Sequence, residues 1–434
     1  MKTIAAHTLG CKVNQYDTQA MLELFLQRGY KIVPFSGQAD VYLINTCTVT
    51  GIGDKKSLQL IRRNRREHPD SLLIVCGCMA QQRGEELLSY GANLVLGTQR
   101  RNEVADLLNT VVKTGKPVCA VAALNESQPF ERLSVTSQNE HTRASLKIQE
   151  GCNNHCTYCI IPSVRGPIRS RPPEDIREEV IRLRDAGYRE LVLTGIHLSS
   201  YGLDLDRSVS LLDVIQMIQQ IDGILRIRLG SLEPTIATTA FAAALRQADK
   251  ICPQFHLALQ SGSDSVLRRM KRRYNTDQYL QGVENLRKEF PRAAFTTDIL
   301  TGFPGETEKE LDETKRMISR VGFARIHVFP YSPRPGTEAA LLPGQLTADE
   351  KERRVRELIA LGDICAGQYL DSWLGMESVI IPEEIMNDCW EGYTPEYIRV
   401  RLRPGSACSA GTPVRVRLDS VTHRIMCGQV IPDN

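Results

Sequence analysis

The chain has 434 residues, of which 42% are hydrophobic and 24% charged, and its net charge is only +3. That length accommodates two or three domains, and that composition excludes a disordered or fibrous chain. The small net charge excludes a uniformly basic nucleic-acid binder, so any RNA contact must come from local patches. No apolar run reaches the length of a membrane span, and the first residues, Met-Lys-Thr-Ile-Ala-Ala-His-Thr, lack the apolar core of a secretory signal. Thirteen cysteines in a chain of this length do not resemble a secreted disulfide framework. A cytoplasmic protein without membrane association is expected.

Strand and helix signals alternate through the first third. Strands are predicted over residues 2–7, 41–44, 72–75 and 93–96. Helices are predicted over 15–27, 55–67, 81–88 and 103–111. Such alternation specifies a parallel sheet flanked by helices. In open parallel sheets, function gathers beyond the carboxyl ends of the strands. Three cysteines fall there: Cys11 in Thr-Leu-Gly-Cys-Lys-Val-Asn, Cys47 in Ile-Asn-Thr-Cys-Thr-Val and Cys78 in Val-Cys-Gly-Cys-Met-Ala-Gln. They converge in space although distant in sequence, while each alone could equally be a small core residue. Cys78 is preferred to Cys76 because it lies past the strand end. Gly10 and Gly77 supply tight turns beside the trio. Arg62, Arg63, Arg65 and Arg66 on the second helix suit either RNA contact or a plain solvated face.

The next signal is one short loop, Cys152-Asn-Asn-His-Cys156-Thr-Tyr-Cys159. Cubane iron–sulfur clusters normally take four thiolates, so three at this spacing leave one iron open to an outside ligand. The alternatives are a zinc knuckle or three buried thiols, although zinc sites usually pair cysteines or add spaced histidines.

Six strands are predicted between residues 145 and 328: 146–149, 190–193, 225–229, 255–259, 295–300 and 325–329. Helical patterns lie between them, including 174–185, 211–220 and 308–320. Six βα units are too few for a closed eight-stranded barrel. Polar groups and glycines cluster at the strand ends, including Gly195, Ser231, Glu233, Gln260 and Asp298. Glycine allows close backbone approach, and the acidic and amide side chains can hold an ammonium or ribose hydroxyls. The basic run Arg268 to Arg273 is either an anion contact or a solvated helix face. A helix over 349–370 then gives way to short strands at 378–381, 397–402, 413–418 and 424–431. These predict a small antiparallel barrel. Arg399, Arg401 and Arg403 share one face, as do Arg415 and Arg417, and such a stripe could follow a phosphate backbone. The segment 371–434 nevertheless holds six Arg against nine Asp or Glu, so it is not basic overall.

The CxxxCxxC loop resembles the radical S-adenosylmethionine superfamily. The two trios together with Thr8 to Thr18, Asn45 to Val49 and Gly77 to Gln81 resemble its methylthiotransferase family over nearly the whole chain. The resemblance implies an N-terminal α/β domain (1–138) carrying an auxiliary cluster on Cys11, Cys47 and Cys78. It implies an open partial (βα)6 core (139–368) carrying a cluster on Cys152, Cys156 and Cys159, and an RNA-binding TRAM barrel (369–434). It implies two [4Fe–4S] clusters, with S-adenosylmethionine serving as methyl donor and, after reductive cleavage, as activator of a C–H bond. Glu233 is then assigned to the methionyl amine, Gln260 and Asp298 to the adenosyl portion, Tyr158 to the adenine, and Gly195 and Ser231 to the pocket wall. One arginine of the run 268–273 is a candidate for the methionyl carboxylate.

Leu-Gly-Cys-Lys-Val-Asn-Gln-Tyr and Gly392-Tyr393-Thr394 resemble the branch acting on N6-threonylcarbamoyladenosine beside the anticodon. The implied partners are a tRNA anticodon stem–loop and a low-potential electron donor such as flavodoxin or ferredoxin. Alternatives are the isopentenyl-adenosine branch, the branch modifying a ribosomal-protein aspartate, and a non-catalytic metal-cluster RNA-binding module. A threonylcarbamoyl group carries a carboxylate, so a cation is expected beside it. Lys12, Arg165, Arg169 and Arg171 are the candidates, each of which could instead pair locally.

Overall fold

The computed structural model describes residues 2–125, 128–136, 142–205 and 209–432. In the first third, six strands form one parallel sheet: β1 (Thr3–Thr8), β2 (Lys31–Ile32), β3 (Val41–Thr46), β4 (Leu72–Gly77), β5 (Leu94–Val95) and β6 (Val118–Cys119), in the order β2-β1-β3-β4-β5-β6. β2 and β6, of two residues each, were not predicted. β3 is buried at every position, as expected of a strand covered on both faces. Alternation divides its residues between two layers. Ile4, Val41, Leu43 and Ile74 pack with Met21 and Phe25 of helix α1 (Lys12–Gln27). Ala5, Tyr42, Ile44, Leu73 and Val75 pack with Ile61 of α2 (Gly51–Glu67) and Met79 of α3 (Cys78–Arg83). α4 (Val104–Thr114) completes the first layer.

The central region begins with β7 (Arg143–Glu150), α5 (Ile161–Arg165), β8 (Arg169–Ser170), α6 (Pro173–Asp185), β9 (Glu190–Gly195), α7 (Leu211–Gln219) and β10 (Arg226–Leu229). It continues with β11 (Ser231–Leu232), α8 (Thr239–Arg246), β12 (Gln254–Leu257), α9 (Asp264–Arg269), α10 (Thr276–Glu289), β13 (Ala294–Thr301), α11 (Glu308–Val321) and β14 (Arg325–Pro330). The strands form two runs, β10-β9-β7-β8 and β11-β12-β13-β14, and a parallel bridge between Ile227 and Ile251 links β10 to the segment entering β12. Leu146, Ile148, Leu191, Leu193, Ile227, Phe255, Phe295 and Ile299 face the helices in one core. Alternate positions, including Lys147, Gln149, Glu190, Arg228, His256 and Asp298, face the concave side, which is therefore polar.

After α12 (Ala348–Asp371), a closed barrel follows the order β15-β16-β17-β19-β18. Its strands are β15 (Glu377–Met386), β16 (Cys389–Tyr393), β17 (Arg399–Leu402), β18 (Val414–Thr422) and β19 (Ile425–Val430). Two details differ from the sequence expectation. β16 was not predicted, because its Cys-Trp-Glu-Gly-Tyr run does not alternate cleanly. The barrel is not wholly antiparallel, since β17 and β19 pair in parallel. It is fastened to the central sheet by arginines. Arg226 donates to the carbonyls of Tyr393 and Val379 at 2.9 and 2.7 Å, and Arg228 to those of Thr394 and Pro395 at 2.8 and 2.7 Å. Among the described residues no helix is long and apolar enough to cross a membrane.

Candidate functional site

The carboxyl ends of β1, β3 and β4 place the first trio. Cys11 caps the start of α1, Cys47 follows β3 directly, and Cys78 opens α3. Gly10 lies so close to Cys47 that a Cβ there would come within 3.0 Å of the Cys47 Cβ, and its φ is +104°. Only glycine fits such a position. Gly77, at φ +94°, turns the chain between β4 and Cys78, and a Cβ there would strike Asn45 and the Thr46 backbone. Cys76 belongs instead to the packed interior with Ile4 and Met21. Burial pushes the Cys78 thiol up to about 11, with the thiols of Cys11 and Cys47 among the groups it feels. Burial also raises Cys47, which feels Cys11.

The second trio lies in the loop after β7. The Cys159 amide donates to the Cys156 carbonyl at 3.0 Å, and the Cys152 amide to that of Gly166 at 3.0 Å. Burial, with the other two thiols, pushes Cys159 up to about 12. Arg272 reaches this loop, donating to the Cys156 Sγ at 3.3 Å and to Glu233 at 3.0 Å. The second Glu233 oxygen meets His197 Nε2 at 2.9 Å. Burial opposes ionisation of Glu233, but the His197 contact and the Arg272 charge outweigh it and hold the carboxyl below its usual value. Beside them a cavity of about 480 Å³ is lined by Asn153 and Asn154 of the cysteine loop with His197, Glu233 and Arg273.

The two trios are joined through a single turn of helix. α5 begins two residues after Cys159, and Ile160 and Val164 pack on Cys78. Arg165, at its end, is 0% exposed. It donates to the Cys78 Sγ at 3.2 Å, to Asp17 at 3.1 Å and to Glu150 at 2.9 Å, and also bonds Asn14. Asp17 and Glu150 further engage Arg101 and Lys147. This buried cluster fastens α1 to β7 and to the turn after the second trio.

The four cations expected beside a substrate carboxylate therefore separate. The Arg165 guanidinium is occupied by Asp17, Glu150, Asn14 and Cys78. Arg171 is buried against Glu179 at 2.7 Å and donates to the Tyr16 hydroxyl. Arg169 is 2% exposed and donates to the Arg165 carbonyl at 2.8 Å, so it too serves the local backbone. Lys12 alone is exposed, and it has no hydrogen bond or ion pair among the described residues. Tandem arginines read alike in sequence; only the position of each carboxylate separated them.

The expected cofactor residues also divide. Glu233 lines the cavity. Gly195 packs so closely on Gln149 that a Cβ would come within 2.8 Å of it. Ser231 is exposed at the start of β11, preceding Glu233 by two residues. Gln260, at φ +62°, bridges in parallel to Ile299, and Asp298 on the concave face approaches His256 at 3.5 Å. Tyr158 packs among Val266, Met270, Phe303 and Tyr331. Sequence reading missed Asp17, Glu150, Arg101 and Lys147, which carry no local signature. Arg272 was legible only as one of the basic run 268–273. In the other basic run, Arg65 is spent on the carbonyls of Gly91, Pro69 and Ser71, and Arg63 on Glu67.

Comparison with known proteins agrees with this geometry. The radical SAM superfamily profile matches residues 146–318, and that of the uncharacterized protein family UPF0004 matches residues 3–97. A solved structure of the radical S-adenosylmethionine methyltransferase TsrM from Kitasatospora setae shares the fold, with a TM-score of 0.58 at 12% identity, over 78% of this chain and 74% of that one. Fold and cysteine loop thus define a radical S-adenosylmethionine protein. The threonylcarbamoyladenosine tRNA methylthiotransferase of Bacillus subtilis is 42% identical over 96% of this chain and 94% of that protein. Its namesake from Thermotoga maritima is 34% identical over 92% and 91%. A tRNA-2-methylthio-N(6)-dimethylallyladenosine synthase from Moorella thermoacetica is 33% identical over 99% and 98%. The chain belongs to the radical S-adenosylmethionine methylthiotransferase family.

The cofactors of this family are S-adenosylmethionine and [4Fe–4S] clusters, and the residues present fit them. Each trio offers three thiols at one end of a sheet, facing buried arginine donors. Among the described residues no three His, Cys, Asp or Glu side chains stand close enough to share a single metal ion. The cavity beside Cys152 offers the carboxylate and cationic groups that an amino-acid moiety requires.

Proposed function

We infer that the protein is an enzyme that inserts a methylthio group at C2 of N6-threonylcarbamoyladenosine in tRNA. The observation that carries the reading is the 42% identity to the Bacillus enzyme across 96% of the chain. The juxtaposition of two cysteine trios across α5 supports it. When bound, the clusters and S-adenosylmethionine supply the electron, the sulfur, the methyl group and the activation of the C–H bond.

The chain's own residues do the placing. Cys152, Cys156 and Cys159 hold one cluster by three thiolates and leave a position for the cofactor. Cys11, Cys47 and Cys78 hold the other. Glu233, kept ionised by Arg272 and His197, accepts the methionyl amine, and Arg273 lies on the same cavity wall for the carboxylate. Arg165 and Arg272 direct N–H donors at one sulfur of each trio, which draws charge from those thiolates. The Asp17–Glu150–Arg101–Lys147–Arg165 cluster holds the two trios at a fixed separation, which positioning of a substrate between them requires. The RNA partner is the anticodon stem–loop, and a low-potential donor such as flavodoxin or ferredoxin supplies electrons in the cytoplasm. The proposed domain limits remain 1–138, 139–368 and 369–434, the last boundary falling within α12.

Nucleoside mass spectrometry on tRNA from a strain lacking the gene tests the reading. Loss of the methylthio group from threonylcarbamoyladenosine, restored by the wild-type gene, is expected. Loss from isopentenyl-adenosine instead would overturn the substrate assignment.

A further inference from the structure

The C-terminal barrel inserts two tyrosines against the concave face of the central sheet. Tyr393 and Tyr397 stack at 4.7 Å between ring centroids. The Arg143 guanidinium lies over both, at 4.6 and 5.0 Å, and that of Arg228 lies over Tyr397 at 4.7 Å. Tyr397 adopts φ +69°, a left-handed backbone that costs a bulky residue free energy and persists only where its surroundings enforce it. Lys12 opens α1, which packs against β7 and β9, the strands that carry Arg143 and Glu190. The groups whose charge it feels are Tyr397, Arg143, Arg228 and Glu190. Lys12 also follows Cys11 directly in the chain, which puts it at the edge of the first trio.

The surrounding charges are unequal. Lys12, Arg143, Arg226 and Arg228 are cations. Glu190 pairs with Arg226 and Arg228, and Glu383 with Arg143. Glu396 is the remaining carboxylate; burial raises its pKa, and its Oε2 has no hydrogen-bond partner. Cations outnumber carboxylates, and of the four cations Lys12 is the one with no ion pair among the described residues. In N6-threonylcarbamoyladenosine the carboxylate-bearing chain and C2 flank the same ring nitrogen, N1. A purine whose C2 approaches the first trio therefore carries its carboxylate towards residues that border that trio.

We propose that Lys12, with the Tyr397 hydroxyl of the C-terminal barrel, binds the threonyl carboxylate of the substrate nucleoside, Arg143 and Arg228 supplying the positive field behind them. The proposal rests on the substrate reading above and adds that the barrel takes part in choosing the modified base. An isopentenyl chain has no charge to offer and leaves the ammonium unpaired, which disfavours it.

The test is equilibrium binding of the cluster-loaded, unreduced protein to synthetic anticodon stem–loops bearing unmodified adenosine, isopentenyl-adenosine, N6-threonylcarbamoyladenosine or the methyl ester of the last. The wild type should bind the free acid at least about tenfold more tightly than the ester. Lys12→Met should abolish that difference, Lys12→Arg should keep most of it, and Tyr397→Phe should reduce it. Iron content shows that Cys11 still holds its cluster in each variant. Full discrimination between acid and ester in Lys12→Met overturns the proposal, and full discrimination in Tyr397→Phe overturns the part given to the barrel. A wild type that prefers the isopentenyl hairpin overturns the substrate reading itself, an outcome distinct from either.

Discussion

Replacing Arg165 by Leu distinguishes a structural arginine from a substrate ligand. The side chain is 0% exposed and bonds Asp17, Glu150, Asn14 and Cys78. Leucine leaves two buried carboxylates with one cation fewer. Breaking a buried pair costs about 3–5 kcal/mol, because the remaining charge is stranded. Arg101 and Lys147 still face both carboxylates, so the lower end, about 3 kcal/mol, is expected. Anaerobic urea denaturation of the cluster-free protein should show an earlier first transition. Cys78, covered by Ile160 and Val164 at the other side of the same contact, should alkylate faster. Removing the partner as well, in Arg165→Leu with Glu150→Leu, should recover part of the loss, since it removes a stranded charge. An unchanged midpoint and alkylation rate, with turnover alone lost, would refute the reasoning and return Arg165 to the substrate.

Three further outcomes are expected. Changing Cys152, Cys156 and Cys159 together to Ala should abolish reductive cleavage of S-adenosylmethionine while iron remains on the N-terminal sheet; changing Cys11, Cys47 and Cys78 should leave cleavage but remove methylthiolation, and Cys76→Ala should leave both clusters loaded. Iron counts and deoxyadenosine yields check this. The carboxyls of Asp17 and Glu150, although burial opposes their ionisation, are held below their usual values by Arg101, Lys147 and Arg165. A depressed folded value contributes stability above the unfolded value of about 4 and loses it as pH falls through the folded one. The thermal midpoint should therefore drop steeply below about pH 4, less so in Asp17→Asn; parallel acid limbs would contradict this. Arg399 and Arg401 both pair with the buried Glu391, so they are not free to release counterions from RNA. Their joint change to Ala should lower the salt slope of tRNA binding by well under the roughly two units of two free phosphate contacts, while Glu391→Gln should steepen it. A loss of about two units in the first variant would show that the pairs open on RNA.

The sequence by itself determined most of the elements and the cysteine-bearing loops. β3, β4 and α1 follow from apolar periodicity, and the CxxxCxxC loop follows from spacing that local chain geometry alone can read. Placement of Cys11, Cys47 and Cys78 at one sheet edge follows from the rule that parallel strands end together. What the linear pattern could not decide was which charges meet. Lys12, Arg165, Arg169 and Arg171 are equivalent as letters, yet Arg165 and Arg171 are buried against groups contributed by other segments, Arg169 is buried on the local backbone, and Lys12 is left unpaired. Asp17 and Glu150 are 133 positions apart, 150 minus 17, and both reach Arg165 because α1 packs on β7. Tyr397 reaches the concave face only because Arg226 and Arg228 tie the barrel to β10. Local propensity fixes short-range geometry, whereas the pairing of buried charges depends on desolvation and on partners that only the packed chain brings within hydrogen-bond distance.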